Sequence, residues 1–216
     1  MVARSLRGGP ADPEIGATFV TSVALVHFLV VHEGPPSPPP EDPRLVERLR
    51  AGDVQAFDVL YRRYERRLAG FVARLHGRRE GLEDVLQETW LRLAQNAGRL
   101  RPDTQLLPWL FTVARNLVIG RHRWRILDAD RLFAWSRMTA ADNPTPFDLH
   151  LASEAERRLE LALLELPLKY REVLLLVAVE GLSQKDAAAV LDLTHDAARQ
   201  RLARARQMMQ TLLEAP

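Results

Sequence analysis

The chain has 216 residues, 47% of them hydrophobic, with 30 Lys plus Arg against 28 Asp plus Glu and no cysteine. A formal charge of +2 with 27% charged residues excludes a disordered polyelectrolyte, a collagen and a histone-like basic protein. The lack of thiols excludes disulfide frameworks, zinc–thiolate and iron–sulfur sites and cysteine nucleophiles.

Residues 1–40 read as an extension outside the folded part. Their apolar run, Ala17 to Val31, is shorter than the ~20 residues needed to span a bilayer, and a proline-rich spacer follows it. Disorder and dispensability are expected there. From Pro43 the pattern is helical. Asp42 caps a first helix with Pro43 at its first position, and Leu45, Val46 and Leu49 form its stripe. Asp53 caps a long helix whose apolar positions are Phe57, Leu60, Tyr61, Tyr64, Leu68, Phe71, Val72 and Leu75, and Gly77 ends it. A third helix carries Leu82, Val85, Leu86, Trp90 and Leu93 and stops near Gly98, and a fourth runs from about Pro108 to Trp124. Residues 127–152, with the turn-forming Asn143-Pro144-Thr145-Pro146, read as a linker. Helical periodicity resumes at Glu154 and runs to Pro167, then again to Gly181. Two shorter helices follow, Ser183 to Leu191 and about His195 to Leu213. The expected fold is all-α: two small helical domains, 41–126 and 153–214, joined by a flexible linker.

The end of the chain has the spacing of a helix-turn-helix. Ser183 and Asp186 make a capping-box-like start, Asp192-Leu193-Thr194 is a turn of the right length, and Thr194 caps the next helix. That last helix presents Arg199, Gln200, Arg201, Arg204 and Arg206, residue types that read base edges and phosphates in a major groove. A solvated, arginine-rich helix fits the same pattern. Residues 197–216 hold four arginines against Glu214 alone, a segregation of charge that favours a DNA-binding face.

The first domain carries two helices of opposite sign. Residues 80–98 hold Glu80, Glu83, Asp84 and Glu88 against Arg92, with Asp84, Gln87 and Glu88 on one face. No histidine or second carboxylate motif completes a catalytic or metal set around them, which leaves a face for a basic protein partner or a solvated surface. Residues 99–127 hold six arginines against Asp103, interleaved with Asn116, His122 and Trp124, a mixture suited to tracking phosphates and stacking on bases. Trp124 serves stacking and packing equally well.

In that order, these features resemble the sigma-70 family of bacterial transcription initiation factors, and within it the small extracytoplasmic-function (ECF) group. The resemblance rests on Leu82-Glu83-Asp84-Val85-Leu86-Gln87-Glu88-Thr89-Trp90-Leu91-Arg92-Leu93, on Pro108-Trp109-Leu110-Phe111-Thr112-Val113-Ala114-Arg115-Asn116-Leu117 and on Leu166-Pro167-Leu168-Lys169-Tyr170-Arg171-Glu172-Val173-Leu174. It spans roughly residues 43–213. It implies a cytoplasmic, non-enzymatic factor that binds core RNA polymerase, directs it to minus-thirty-five and minus-ten promoter elements and aids DNA melting, with no cofactor, metal or small-molecule substrate. Asp84, Gln87 and Glu88 would meet the β′ clamp helices. Arg115, Asn116, Arg121, His122 and Arg123 would engage the minus-ten element, and the loop from about Gly98 to Thr104 would help trap a flipped base. Thr194, His195, Arg199, Gln200, Arg201 and Arg204 would read the minus-thirty-five element while the domain touches the β flap. An anti-sigma factor is an expected further partner.

The sequence departs from the family pattern where Asp192 replaces the usual turn glycine and Asp196-Ala197-Ala198 replaces Gly-Thr-Val. The alternative function is a stand-alone helix-turn-helix regulator, which has no need of the acidic helix or the second basic helix.

Overall fold

In the computed structural model the described residues are 43–77, 81–132 and 154–214, with side chains described as far as residue 120 in the helix that ends at 132. The N-terminal extension, the Asp42 cap and most of the expected linker lie outside them. The described residues form eight α-helices and no strand: α1 (Pro43–Arg50), α2 (Val54–His76), α3 (Leu82–Asn96), α4 (Leu106–Leu132), α5 (Glu154–Glu165), α6 (Leu168–Leu174), α7 (Gln184–Leu191) and α8 (His195–Glu214). A 3-10 turn (Ala97–Arg99) follows α3, and a π turn (Leu175–Val179) extends α6.

The first unit packs α2, α3 and α4 pairwise, with α1 against α2. Its long helix begins where an extended Asp53 accepts from the amides of Gln55 and Ala56 at 2.8 and 3.3 Å. Arg48 Nε, 2.7 Å away, holds that carboxyl below its ordinary range. The helix stops at Gly77, whose φ of 71° lies in the left-handed region that L side chains avoid. Leu60, Tyr64, Leu68, Phe71, Val72 and Leu75 are buried, as the steps of three and four require. Phe57 and Tyr61 are half-buried, and both rings meet Trp90 on α3. Phe71 lies 4.7 Å, centroid to centroid, from Phe111 on α4. Thr89 is buried because its hydroxyl donates to the Val85 carbonyl at 2.7 Å.

The fourth helix differs at both ends from the expected Pro108–Trp124. It starts at Leu106, since a proline in the first turn removes only an N–H that has no intrahelical partner. It continues to Leu132 because no glycine or proline interrupts residues 121–132.

In the second unit α8 packs on α5, α6 and α7. The π turn closes with Glu180 N–H donating to Leu175 O at 2.9 Å. Ser183 Oγ accepts from Asp186 N–H at 3.1 Å and donates to the Asp186 carboxylate at 2.6 Å. Asp192 stands at φ 55°, the left-handed turn position expected of it, and Thr194 Oγ1 accepts from Ala197 N–H at 3.2 Å to start α8.

The two units do not stand apart. Their buried side chains form one contiguous cluster, with α2 against α5, α6 and the π turn, and α4 against α7. Charged groups rim this seam: Arg67–Glu180 at 3.2 Å, Arg74–Glu160 at 2.9 Å and Arg115–Glu172 at 2.8 Å. Arg171 sits at the C-terminal ends of two helices, donating to Arg74 O and Leu75 O of α2 across the seam and to Leu164 O and Leu166 O on its own side. That position favours a cation, because helix C-termini carry unpaired carbonyls and the negative end of the dipole. Burial alone pulls the Arg171 guanidinium below its ordinary pKa.

Candidate polymerase and nucleic-acid interfaces

The acidic face lies on α3, whose inner side is fixed by buried Val85, Thr89, Trp90 and Leu93. The opposite side leaves Asp84 and Gln87 exposed, with Glu88 beside them paired to Arg92 at 2.8 Å, one turn on. Leu91, one turn beyond Gln87, is 48% exposed. It completes a strip of acid, amide and one apolar group. The i+7 spacing from Asp84 was readable in the sequence, but only burial shows that Leu91 faces outward. Among the described residues no group of three or more His, Cys, Asp or Glu is placed to hold a metal ion.

The expected minus-ten residues are placed unequally. Asn116 is exposed on α4. Arg115 is not: its side chain is only 15% exposed, and Nε and Nη2 donate to Glu172 at 2.8 and 3.3 Å in a two-pronged pair. Arg121, His122 and Arg123 belong to α4, but their side chains lie outside the described residues, as does that of Trp124. In the preceding loop Arg101 pairs with Asp103 at 3.3 Å in solvent, and buried Leu100 pins the loop to the core.

On α8, buried Ala198, Leu202, Ala205 and Met209 set the inner face. Thr194, His195, Arg199, Gln200 and Arg204 are exposed. Arg199 pairs with Asp196 at 3.3 Å, and Arg204 donates to Gln207 at 2.8 Å. Both contacts are solvent-exposed and give way readily to a phosphate. Arg201 leans inward instead, 33% exposed, with Nη1 3.5 Å from the Glu172 carboxylate. Glu172 is therefore shared by one arginine from each of the two expected DNA-binding sets. Sequence reasoning had no means of finding it, since 57 positions separate it from Arg115.

A short helix, a left-handed turn and a helix with an exposed Arg/Gln face, preceded by a helical unit with an exposed acidic strip, fit a DNA-binding factor that also docks on protein. Sequence-family models agree: sigma-70 region 2 matches residues 60–125 and sigma-70 region 4 matches residues 156–209. The chain belongs to the sigma-70 family of RNA polymerase sigma factors, in its ECF group. It is 34% identical over 170 residues to the RNA polymerase sigma factor CarQ of Myxococcus xanthus, covering 78% of this chain and 95% of that one. It is 30% identical over 183 residues to the ECF sigma-E factor of Haemophilus influenzae, covering 80% and 95%. Among solved structures it resembles CnrH in complex with the cytosolic domain of CnrY, with a TM-score of 0.59, 30% identity and coverage of 80% and 97%. It also resembles the sigma factor RpoE of Bartonella quintana in complex with the anti-sigma factor NepR, with a TM-score of 0.61, 25% identity and coverage of 74% and 97%. Region 2 and region 4 on one chain set aside the stand-alone regulator.

Proposed function

We propose that this chain is an ECF sigma factor that docks on core RNA polymerase through Asp84, Gln87 and Glu88 and directs it to promoters with two reading surfaces. Arg115, Asn116, Arg121, His122 and Arg123 serve the minus-ten element, and Thr194, His195, Arg199, Gln200, Arg201 and Arg204 the minus-thirty-five element. The observation that carries the reading is the separation of faces: an exposed acid and amide strip on α3 and an exposed Arg/Gln face on α8, each backed by a packed apolar side. The β′ clamp helices are the proposed contact of the first and the β flap a contact of the second unit.

Two further parts of the reading are partner and place. CnrH and RpoE are each solved with a partner, in the second case a named anti-sigma factor, which supports such a partner here. Among the described residues no helix is long and apolar enough to cross a membrane, in keeping with work beside cytoplasmic polymerase.

The test is Asp84→Arg with Glu88→Arg. Association with core RNA polymerase in co-purification and run-off transcription should be lost while the helical circular dichroism and melting temperature stay those of wild type. Unchanged co-purification would overturn the docking face.

A further inference from the structure

We propose that Asp196, the second residue of α8, reads a base: its carboxylate accepts from the amino group of a cytosine in the major groove and so fixes one position of the minus-thirty-five element as cytosine. The inference rests on the assignment of α8 to promoter DNA and adds to that face a residue of opposite charge.

The register of α8 puts Asp196 in the middle of its outward face. Buried Ala198, Leu202, Ala205 and Met209 fix the inner side, and at about 3.6 residues per turn the ridge opposite them runs through Asp196, Gln200, Ala203 and Gln207. All four are exposed. Arg199 lies on one flank of that ridge and Arg204 on the other, both exposed as well. A helix lying in a major groove turns such a ridge to the base edges and its flanks to the phosphates, and residues near its N-terminal end make the base contacts. Asp196 stands at that end and on that ridge, and the small side chain of Ala203 does not hold the helix away from the bases. The Asp196 side chain is 77% exposed, and its Oδ1 lies 3.3 Å from Nη2 of Arg199, which is 65% exposed.

The chemistry of the carboxylate selects cytosine. An ionised carboxylate only accepts, so it needs a donor at the base edge. Guanine shows the major groove two acceptors, thymine an acceptor and a methyl group, and adenine an acceptor beside its amino group. Cytosine alone offers an amino donor with no acceptor of its own next to it. A bare carboxylate is repelled by the phosphates that line the groove, and Arg199, beside it on the phosphate-facing flank, offsets that charge. Asp196 also lies in the first turn of α8, where a carboxylate complements the positive end of the helix dipole. Stabilising the helix sets no base preference, so base identity separates reading from a purely structural role.

The test is selection of bound duplexes from a randomised DNA library by the full-length chain reconstituted with core RNA polymerase, as wild type and as Asp196→Ala, Asp196→Asn and Arg199→Ala. Wild type should enrich a motif containing a cytosine that Asp196→Ala leaves degenerate while the neighbouring positions keep their bases. Asp196→Asn preserves the shape of the side chain and should change that cytosine to adenine, whose N6 and N7 match an amide. In competition binding on the selected duplex, wild type should favour cytosine over the other bases at that position by roughly fivefold to a hundredfold, and Asp196→Ala by less than about twofold. A wild-type motif without cytosine, a motif whose cytosines Asp196→Ala leaves in place, or a loss of enrichment spread evenly over every position overturns the proposal. Arg199→Ala tells that failure from a deeper one: if it leaves both the motif and the affinity unchanged, α8 is not on the DNA, and the assignment beneath the proposal falls with it.

Discussion

Glu180 gives the protein a pH dependence opposite to that of an ordinary ion-paired carboxylate. Its side chain is 5% exposed at the end of the π turn, where it accepts from Arg67 Nε at 3.2 Å, while Arg67 Nη2 donates to its carbonyl at 2.6 Å. Burial pushes its pKa up from 4.5 to about 7, against the smaller opposing pulls of Arg67 and Arg74. Burial prevails because Arg67 is itself 32% exposed, so solvent screens its charge while the carboxylate stays largely dry. The folded state therefore binds more protons than the unfolded state between pH 4.5 and about 7, and stability falls as pH rises through that window. The whole effect is on the order of 3 kcal/mol, at about 1.4 kcal/mol for each tenfold change in proton affinity. Above about pH 7 it is complete and the profile flattens. Urea unfolding of wild type and Glu180→Gln at pH 5, 6, 7 and 8 isolates the group, since histidines and other carboxylates titrate alike in both. The difference between the two should be small at pH 5 and should grow in favour of the glutamine variant toward pH 8. Parallel profiles, or a wild type that gains on the variant as pH rises, would refute the reasoning.

Other expectations are local. Arg199→Ala, on the exposed face of α8, should reduce the salt slope of DNA binding by about 0.9 with no change in melting temperature; a filter-binding or anisotropy salt series measures it. Ser183→Ala removes the oxygen that accepts from Asp186 N–H and should cost about 1 kcal/mol in chemical denaturation. At Asp192, φ 55°, glycine should stay within about 1 kcal/mol of wild type, whereas valine should lose about 1–2 kcal/mol, because a β-branched side chain meets the left-handed strain in full.

Much of this structure can be read from local pattern. The caps at Asp53, Ser183 and Thr194, the stop at Gly77 and the left-handed turn at Asp192 each follow from one residue and its immediate neighbours. The buried faces of α2 and α8 follow from spacing. The ends of α4 were harder to place, because Pro108 looks like a boundary when it is a first-turn residue, and the charged stretch after Trp124 looks like a linker although nothing in it breaks a helix. The seam was not legible at all. Summed by segment, residues 41–79 carry +4 and residues 153–196 carry −4, and nothing in the sequence matches the one to the other. In the fold Glu160, Glu172 and Glu180 face Arg74, Arg115 and Arg67. Those partners lie 86, 57 and 113 positions apart, and no periodicity connects residues at such distances. The same gap explains the candidate site. Exposed groups such as Asn116 and Arg199 stand where helical spacing puts them, while Arg115 and Arg201 are turned inward by a glutamate that only the tertiary arrangement supplies.

Arg171 determines how cleanly the two units can come apart. Two of its four carbonyl acceptors, Leu164 and Leu166, travel with it, and the two left behind on α2 close the last turn of a helix, where water ordinarily takes over. Arg171 therefore joins the units through groups that each have a ready substitute partner, and the apolar cluster shared by both halves is what resists their separation.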